Sequence, residues 1–185
     1  MITYAVSLHL PDEVTEIITS AIKAVADVTG IRFILENKIP PHITVGAFHS
    51  AKKDEEKLLQ MIKDFSAFQK PGDVVFKGTD SFNEKVLFLK PEKNNFLSKI
   101  NQELHQVILP EFEKAENGYY LPEVWFPHIT LATRLNQNLF KKAREAAEQI
   151  TLPLEVHINE LAVYRCSPFE EVMRCYLSDD FAGVE

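Results

Sequence analysis

The chain has 185 residues, 45% of them hydrophobic and 25% charged, which is the make-up of one ordinary globular domain. Its net charge of −7 excludes a protein that coats long nucleic acid by neutralising phosphates, so a nucleic-acid partner would be met at a terminus or as a small nucleotide. Two cysteines, Cys166 and Cys175, are too few for a disulfide scaffold and are expected as free thiols in a reducing, cytoplasmic compartment.

Residues 2–10 are expected as a strand, with Tyr4, Val6 and Leu8 alternating with more polar neighbours. Pro11-Asp12-Glu13 opens a helix whose apolar stripe is Val14, Ile17, Ile18, Ala21, Ile22 and Val25, and Gly30 ends it. A short strand is expected over 31–35 and another over 39–48, entered through Pro40-Pro41. A second helix is expected over 54–68, and strands over 73–78 and 85–90. Pro91-Glu92 opens a third helix carrying Phe96, Leu97, Ile100, Leu104, Val107 and Ile108 on one side. A loop through Glu116-Asn117-Gly118 leads to a strand over 125–133, and a fourth helix covers 136–150. The last elements, 154–165 and 172–177, are expected to pair as a hairpin. No signal peptide is expected at Met1–Ser7, and no apolar run is long enough for a bilayer span.

The order repeats. Pro11 and Pro91 are 80 residues apart, His42 and His128 are 86 apart, and the helices starting at Asp54 and Asn136 are 82 apart. Such spacing indicates a duplicated unit with loops absorbing the differences. The expected organisation is one α+β domain over 1–185, with pseudo-symmetric lobes of roughly 1–80 and 81–185 whose termini can cross between them.

The chemistry sits in Pro41-His42-Ile43-Thr44-Val45 and Pro127-His128-Ile129-Thr130-Leu131, identical at four of five positions. On a strand, His42 and Thr44 share one face while Ile43 and Val45 share the other, and the second copy repeats this. Two imidazoles titrating near neutral pH can divide the work of base and acid at a phosphodiester. Two hydroxyls can hold its non-bridging oxygens. One such motif would carry little weight, but two at matching positions of a repeat point to a shared site.

The paired His-hydrophobic-Thr-hydrophobic motifs, in a chain of this size, resemble the two-histidine (2H) phosphoesterases, which include the 2'-5' RNA ligases and 2',3'-cyclic nucleotide phosphodiesterases. Residues 159–165, NELAVYR, also resemble that family's late strand. The resemblance implies a two-lobed fold with antiparallel sheets around a central cleft, and a chemistry without metal or other cofactor. It implies catalytic roles for His42 and His128, with His42 as acid and His128 as base by analogy, and phosphate binding by Thr44 and Thr130. Family members often carry a basic residue soon after the second motif. Here Leu131-Ala132-Thr133 intervenes before Arg134, which by alternation still falls on the His128 face.

Phe48 shares the His42 face by parity and is a candidate for stacking on a base, with core packing as the alternative. Tyr164 is a further candidate for lining the groove. His9, His49, His105 and His157 lack a repeated context, and no metal-ligand spacing such as His-Glu-x-x-His or Cys-x-x-Cys occurs. The expected activity is hydrolysis of a 2',3'-cyclic phosphate or related phosphodiester, with 2'-5' ligation as its reverse. The alternatives are another small phosphodiester, such as ADP-ribose cyclic phosphate or a 2'-5' oligoadenylate, and a module that holds a nucleotide or RNA end without turnover. The expected partner is a nucleotide or RNA terminus bound by a monomer, with no extended nucleic-acid surface and no membrane.

Overall fold

The computed structural model describes residues 1–178; the last residues of the expected 1–185 domain lie outside them. In chain order the elements are β1 (Ile2–His9), α1 (Asp12–Thr29), α2 (Phe33–Glu36), β2 (His42–Ser50), α3 (Glu55–Ser66), β3 (Gly72–Phe82) and β4 (Val86–Pro91). They continue with α4 (Asn95–Ile108), β5 (Glu113–Lys114), β6 (Ile129–Ala132), α5 (Gln137–Ala147), β7 (Leu154–Ile158), β8 (Glu160–Cys166) and β9 (Phe169–Tyr176). The fold is α+β, with two antiparallel sheets ordered β5-β2-β1-β8-β9 and β6-β4-β3-β7.

The two orders superimpose as the repeat requires: β2 matches β6 and β1 matches β4. The halves exchange elements across the division near residue 80. β3, from the first half, pairs with β4 in the second sheet, and β8, from the second half, pairs with β1 in the first. Helices exchange too. α1 packs on α5 and β6, whereas α4 packs on α3 and β2. Each lobe is therefore completed by the other half of the chain.

Three local expectations are corrected. Residues 31–35 do not form a strand. Gly30, at φ +74, ends α1, and Glu36 N–H then bonds Arg32 C=O at 2.8 Å to make the helical turn α2. A five-residue apolar run with no strand partner satisfies its backbone locally instead. Residues 154–165 are not one strand, since β7 pairs with β3 and β8 pairs with β1, with only Asn159 between. The hairpin is β8–β9. The third helix begins at Asn95 rather than Pro91, because Pro91 is the last residue of β4 and the Asn94 side chain caps Leu97 N–H at 3.1 Å. Asn136 caps α5 in the same way at 3.0 Å.

The core fills with Tyr4, Val6, Leu8, Ile43 and Phe48 from the first sheet and Leu87, Leu89 and Ile129 from the second, under the stripes of α1 and α4. β2 comes so close to α4 that a Cβ at Gly46 would lie 2.9 Å from both Leu104 and Phe48. Cys166 and Cys175 are free thiols. They do not face each other, since Cys166 pairs with Phe169 and Cys175 with Leu161.

Candidate active site

Both motifs meet the adjacent strand through the same irregularity. Along β2, Thr44 pairs with Ser7 but Gly46 pairs with Val6, so Val45 is an extra, bulged residue. Along β6, Thr130 pairs with Phe88 but Ala132 pairs with Leu87, so Leu131 is the bulge. Each bulge directly follows the threonine. Such bulges re-aim side chains near sites, and here they end the His/Thr face after two residues.

That geometry corrects two alternation arguments. Phe48 lies beyond the first bulge, pairs with Tyr4 and shares the apolar face of Ile43. It is fully buried with its ring centroid 5.3 Å from that of His105, so it is core and out of reach of a base. Beyond the second bulge, Thr133 rather than Arg134 comes toward the motif. β6 ends at Ala132, and Arg134 adopts φ +59, outside any strand. Its exposed guanidinium instead lies 3.9 Å from the centroid of Phe33.

The two histidines are held alike. Nδ1 of His42 donates to the carbonyl of Pro40 at 2.7 Å, and Nδ1 of His128 donates to the carbonyl of Phe126 at 2.7 Å. In each case the intervening residue, Pro41 or Pro127, keeps its predecessor extended and so aims that carbonyl back at the ring. The proton is fixed on Nδ1, leaving Nε2 for chemistry. Burial pushes both imidazoles below the ordinary histidine range, against the opposing pull of the carbonyls. The charges of His128 and His9 push His42 further the same way.

Three observations bring the motifs together. His42 and Thr130 line one cavity of about 160 Å³ with Phe33, Ile39, Pro40 and Thr133. His42 senses the charge of His128. Trp125, three residues before His128, donates its indole N–H to the Thr44 carbonyl at 3.0 Å. The two motifs, carried by opposite sheets, thus lie close to one another.

Its walls are only partly those the sequence suggests. Tyr164 is on the His42 side, but it is almost fully buried. Its ring sits 5.7 Å from His42 and stacks on Phe169 at 4.8 Å, so it buttresses His42. Arg165, next to it, points away and ion-pairs with Glu55 at 2.7 Å. Around His128 stand Phe82 and Phe88, at 5.0 and 5.1 Å, with Phe126 beside them. Ser7 lies 3.4 Å from the Thr44 hydroxyl, and the Tyr120 hydroxyl is also beside Thr44. His9 faces His42 across β1–β2, buried, with Nδ1 unpartnered. Ser7 and His9, on the face of β1 opposite Tyr4, Val6 and Leu8, were the available signal for these. Tyr120 gave none. Among the described residues no group of three His, Cys, Asp or Glu is placed to hold a metal ion, and no helix is long and apolar enough to cross a membrane.

The fold is shared with solved proteins. TT0787 of Thermus thermophilus aligns at TM-score 0.63 and 18% identity, covering 95% of this chain and 98% of that one. E. coli LigT, solved with 3'-AMP, aligns at TM-score 0.63 and 15% identity over 96% and 98%. Kluyveromyces marxianus Usb1 aligns at TM-score 0.52 and 12% identity over 95% and 97%. A curated protein of Geobacillus sp. (strain WCH70), named as a candidate phosphoesterase, is 29% identical over 102 residues, which is 52% of this chain. The match spans about half (53%) of that relative's length. The profile of the 2'-5' RNA ligase superfamily matches residues 11–167, a span that contains both His/Thr motifs. The chain belongs to the 2'-5' RNA ligase superfamily, whose members are two-histidine phosphoesterases.

Proposed function

We propose that this protein hydrolyses a 2',3'-cyclic phosphate, at a nucleotide or RNA end, by acid–base catalysis between His42 and His128. The observation that carries this reading is the matched pair of histidines, each with Nδ1 bonded to the carbonyl two residues back at 2.7 Å and Nε2 left free. One Nε2 accepts a proton from water as its oxygen attacks phosphorus. The other, protonated, donates to the departing ribose oxygen, and the product is a phosphomonoester. The hydroxyls of Thr44 and Thr130 donate to the non-bridging oxygens and hold phosphorus between the rings. Near-symmetry allows either histidine to take either role. A 5'-hydroxyl of a second RNA end attacking phosphorus in place of water, with the bond to the 3' oxygen breaking and that oxygen protonated, would give a 2'-5' linkage with the same groups.

Arg134, exposed over Phe33, which lines the His42–Thr130 cavity, would meet the phosphate or the base of the substrate. The neighbouring LigT structure with 3'-AMP supports a nucleotide as the ligand class. The test is turnover of nucleoside 2',3'-cyclic phosphates by wild type and by His42→Ala and His128→Ala. Loss in both folded variants supports the reading, and full activity in either removes it. A wild type that binds these compounds without product would favour a binding module.

A further inference from the structure

A second cavity, of about 370 Å³, opens between the start of α4 and the loop 122–127. That volume is within the range of small-ligand pockets, about 300–1,000 Å³. Lys90, Lys93 and Gln102 line it together with the rings of Trp125 and Phe126. Glu92 also lines it, but its carboxylate is engaged by Lys77 at 2.7 Å. Lys90 reaches Asp80 at 3.2 Å and lies 5.3 Å from the Phe126 centroid. Lys93 is exposed and has no ion pair among the described residues.

This cavity is continuous with the catalytic strand. Phe126 and Pro127 form its wall and immediately precede His128, and the Phe126 carbonyl holds the His128 ring. On β4, Lys90 is two residues from Phe88, whose ring contacts His128 at 5.1 Å. A chain whose terminal phosphate sat between the histidines would thus meet, next to the strand that follows His128, the exposed Lys93 and the rings of Trp125 and Phe126. That combination suits single-stranded nucleic acid, whose phosphates seek lysine and whose bases stack on aromatics. The chain's net charge of −7 keeps such a contact short.

We infer that this groove binds the nucleotide preceding the reacting terminus, so that the preferred substrate is a short single-stranded RNA end rather than a free mononucleotide. The inference rests on the proposed hydrolysis for its choice of terminus. The test compares cytidine 2',3'-cyclic phosphate with a trinucleotide ending in the same group, using wild type, Lys93→Glu and Lys93→Arg. Expected is a KM about tenfold lower for the trinucleotide. That advantage should be lost in Lys93→Glu and kept in Lys93→Arg, with mononucleotide turnover unchanged throughout. Equal KM values in wild type, or a Lys93→Glu variant slowed alike on both substrates, would overturn it.

Trp125 is the chain's one tryptophan, so its fluorescence reports on the groove without turnover. A 3'-phosphorylated trinucleotide should shift that signal at lower concentration than cytidine 3'-phosphate does, and Lys93→Glu should abolish the difference. If neither cyclic substrate is hydrolysed but this difference appears, the groove stands and the catalytic reading fails. If no difference appears, the groove inference fails whatever the turnover.

Discussion

Among single residues, the pH dependence follows from how the imidazoles are held. Burial places both His42 and His128 below the ordinary value of about 6.5, and protonating either discourages protonation of the other. The base is then neutral even at mildly acidic pH, while the acid loses its proton early as pH rises. We expect a bell-shaped kcat/KM profile in the free enzyme with its optimum below about pH 6.5, checked by initial rates over a pH series. An optimum well above 7 would contradict this placement. Thr44→Val and Thr130→Val should each lower kcat by about 10- to 1,000-fold, as loss of a donor to developing negative charge does, with little change in thermal stability. The two His/Thr pairs stand out in the sequence because the motif occurs twice, and their roles are what the activity measurements decide. Strand alternation misplaces Phe48 and Arg134 for one shared reason. It fails past Thr44 and Thr130, where bulges at Val45 and Leu131 break it. A bulge in a Val or Leu has no signature in a single sequence.

Among helices and strands, two attachments set stability. Glu55 at the start of α3 accepts from Lys52, from Tyr4 on β1 and from Arg165 on β8, and these partners lower its carboxyl to about 2. A depressed carboxylate stabilises the fold above its unfolded value and loses that contribution as pH falls through the folded one. Glu55→Gln should therefore cost roughly 2 kcal/mol at pH 7, with the gap to wild type closing between about pH 5 and 2 in urea unfolding. Gly46→Ala should also destabilise, because its Cβ would press on Leu104 and Phe48 where β2 meets α4. A variant as stable as wild type would show that α4 can move aside. The helices were readable from their stripes, and the start at Asn136 from its cap, but Pro91 drew the third helix too early, ahead of the Asn94 cap. The turn α2 and the switch of sheets at Asn159 were not readable. Each depends on which partner strand is available, a property of the assembled sheets rather than of the local run.

Across the whole chain, exchange between the halves is the organising fact. Spacing of the motifs made the duplication visible, but a repeat in sequence does not say which half completes which sheet. With β3 in the second sheet and β8–β9 in the first, and with α1 on α5 and α4 on α3, neither half closes a core alone. Residues 1–80 expressed alone should show no cooperative unfolding transition, and the full chain should unfold in one step by both circular dichroism and Trp125 fluorescence. The same interleaving brings the two motifs together, because His42 begins β2 and His128 directly precedes β6, the matching strand of the other sheet.

Two-histidine catalysis is tested most simply by hydrolysis of nucleoside 2',3'-cyclic phosphates by wild type, His42→Ala and His128→Ala, with thermal unfolding measured in parallel. Wild type should turn over, and each variant should lose about 100- to 10,000-fold in rate at nearly unchanged Tm. Full activity in either folded variant would contradict a site in which both imidazoles take part.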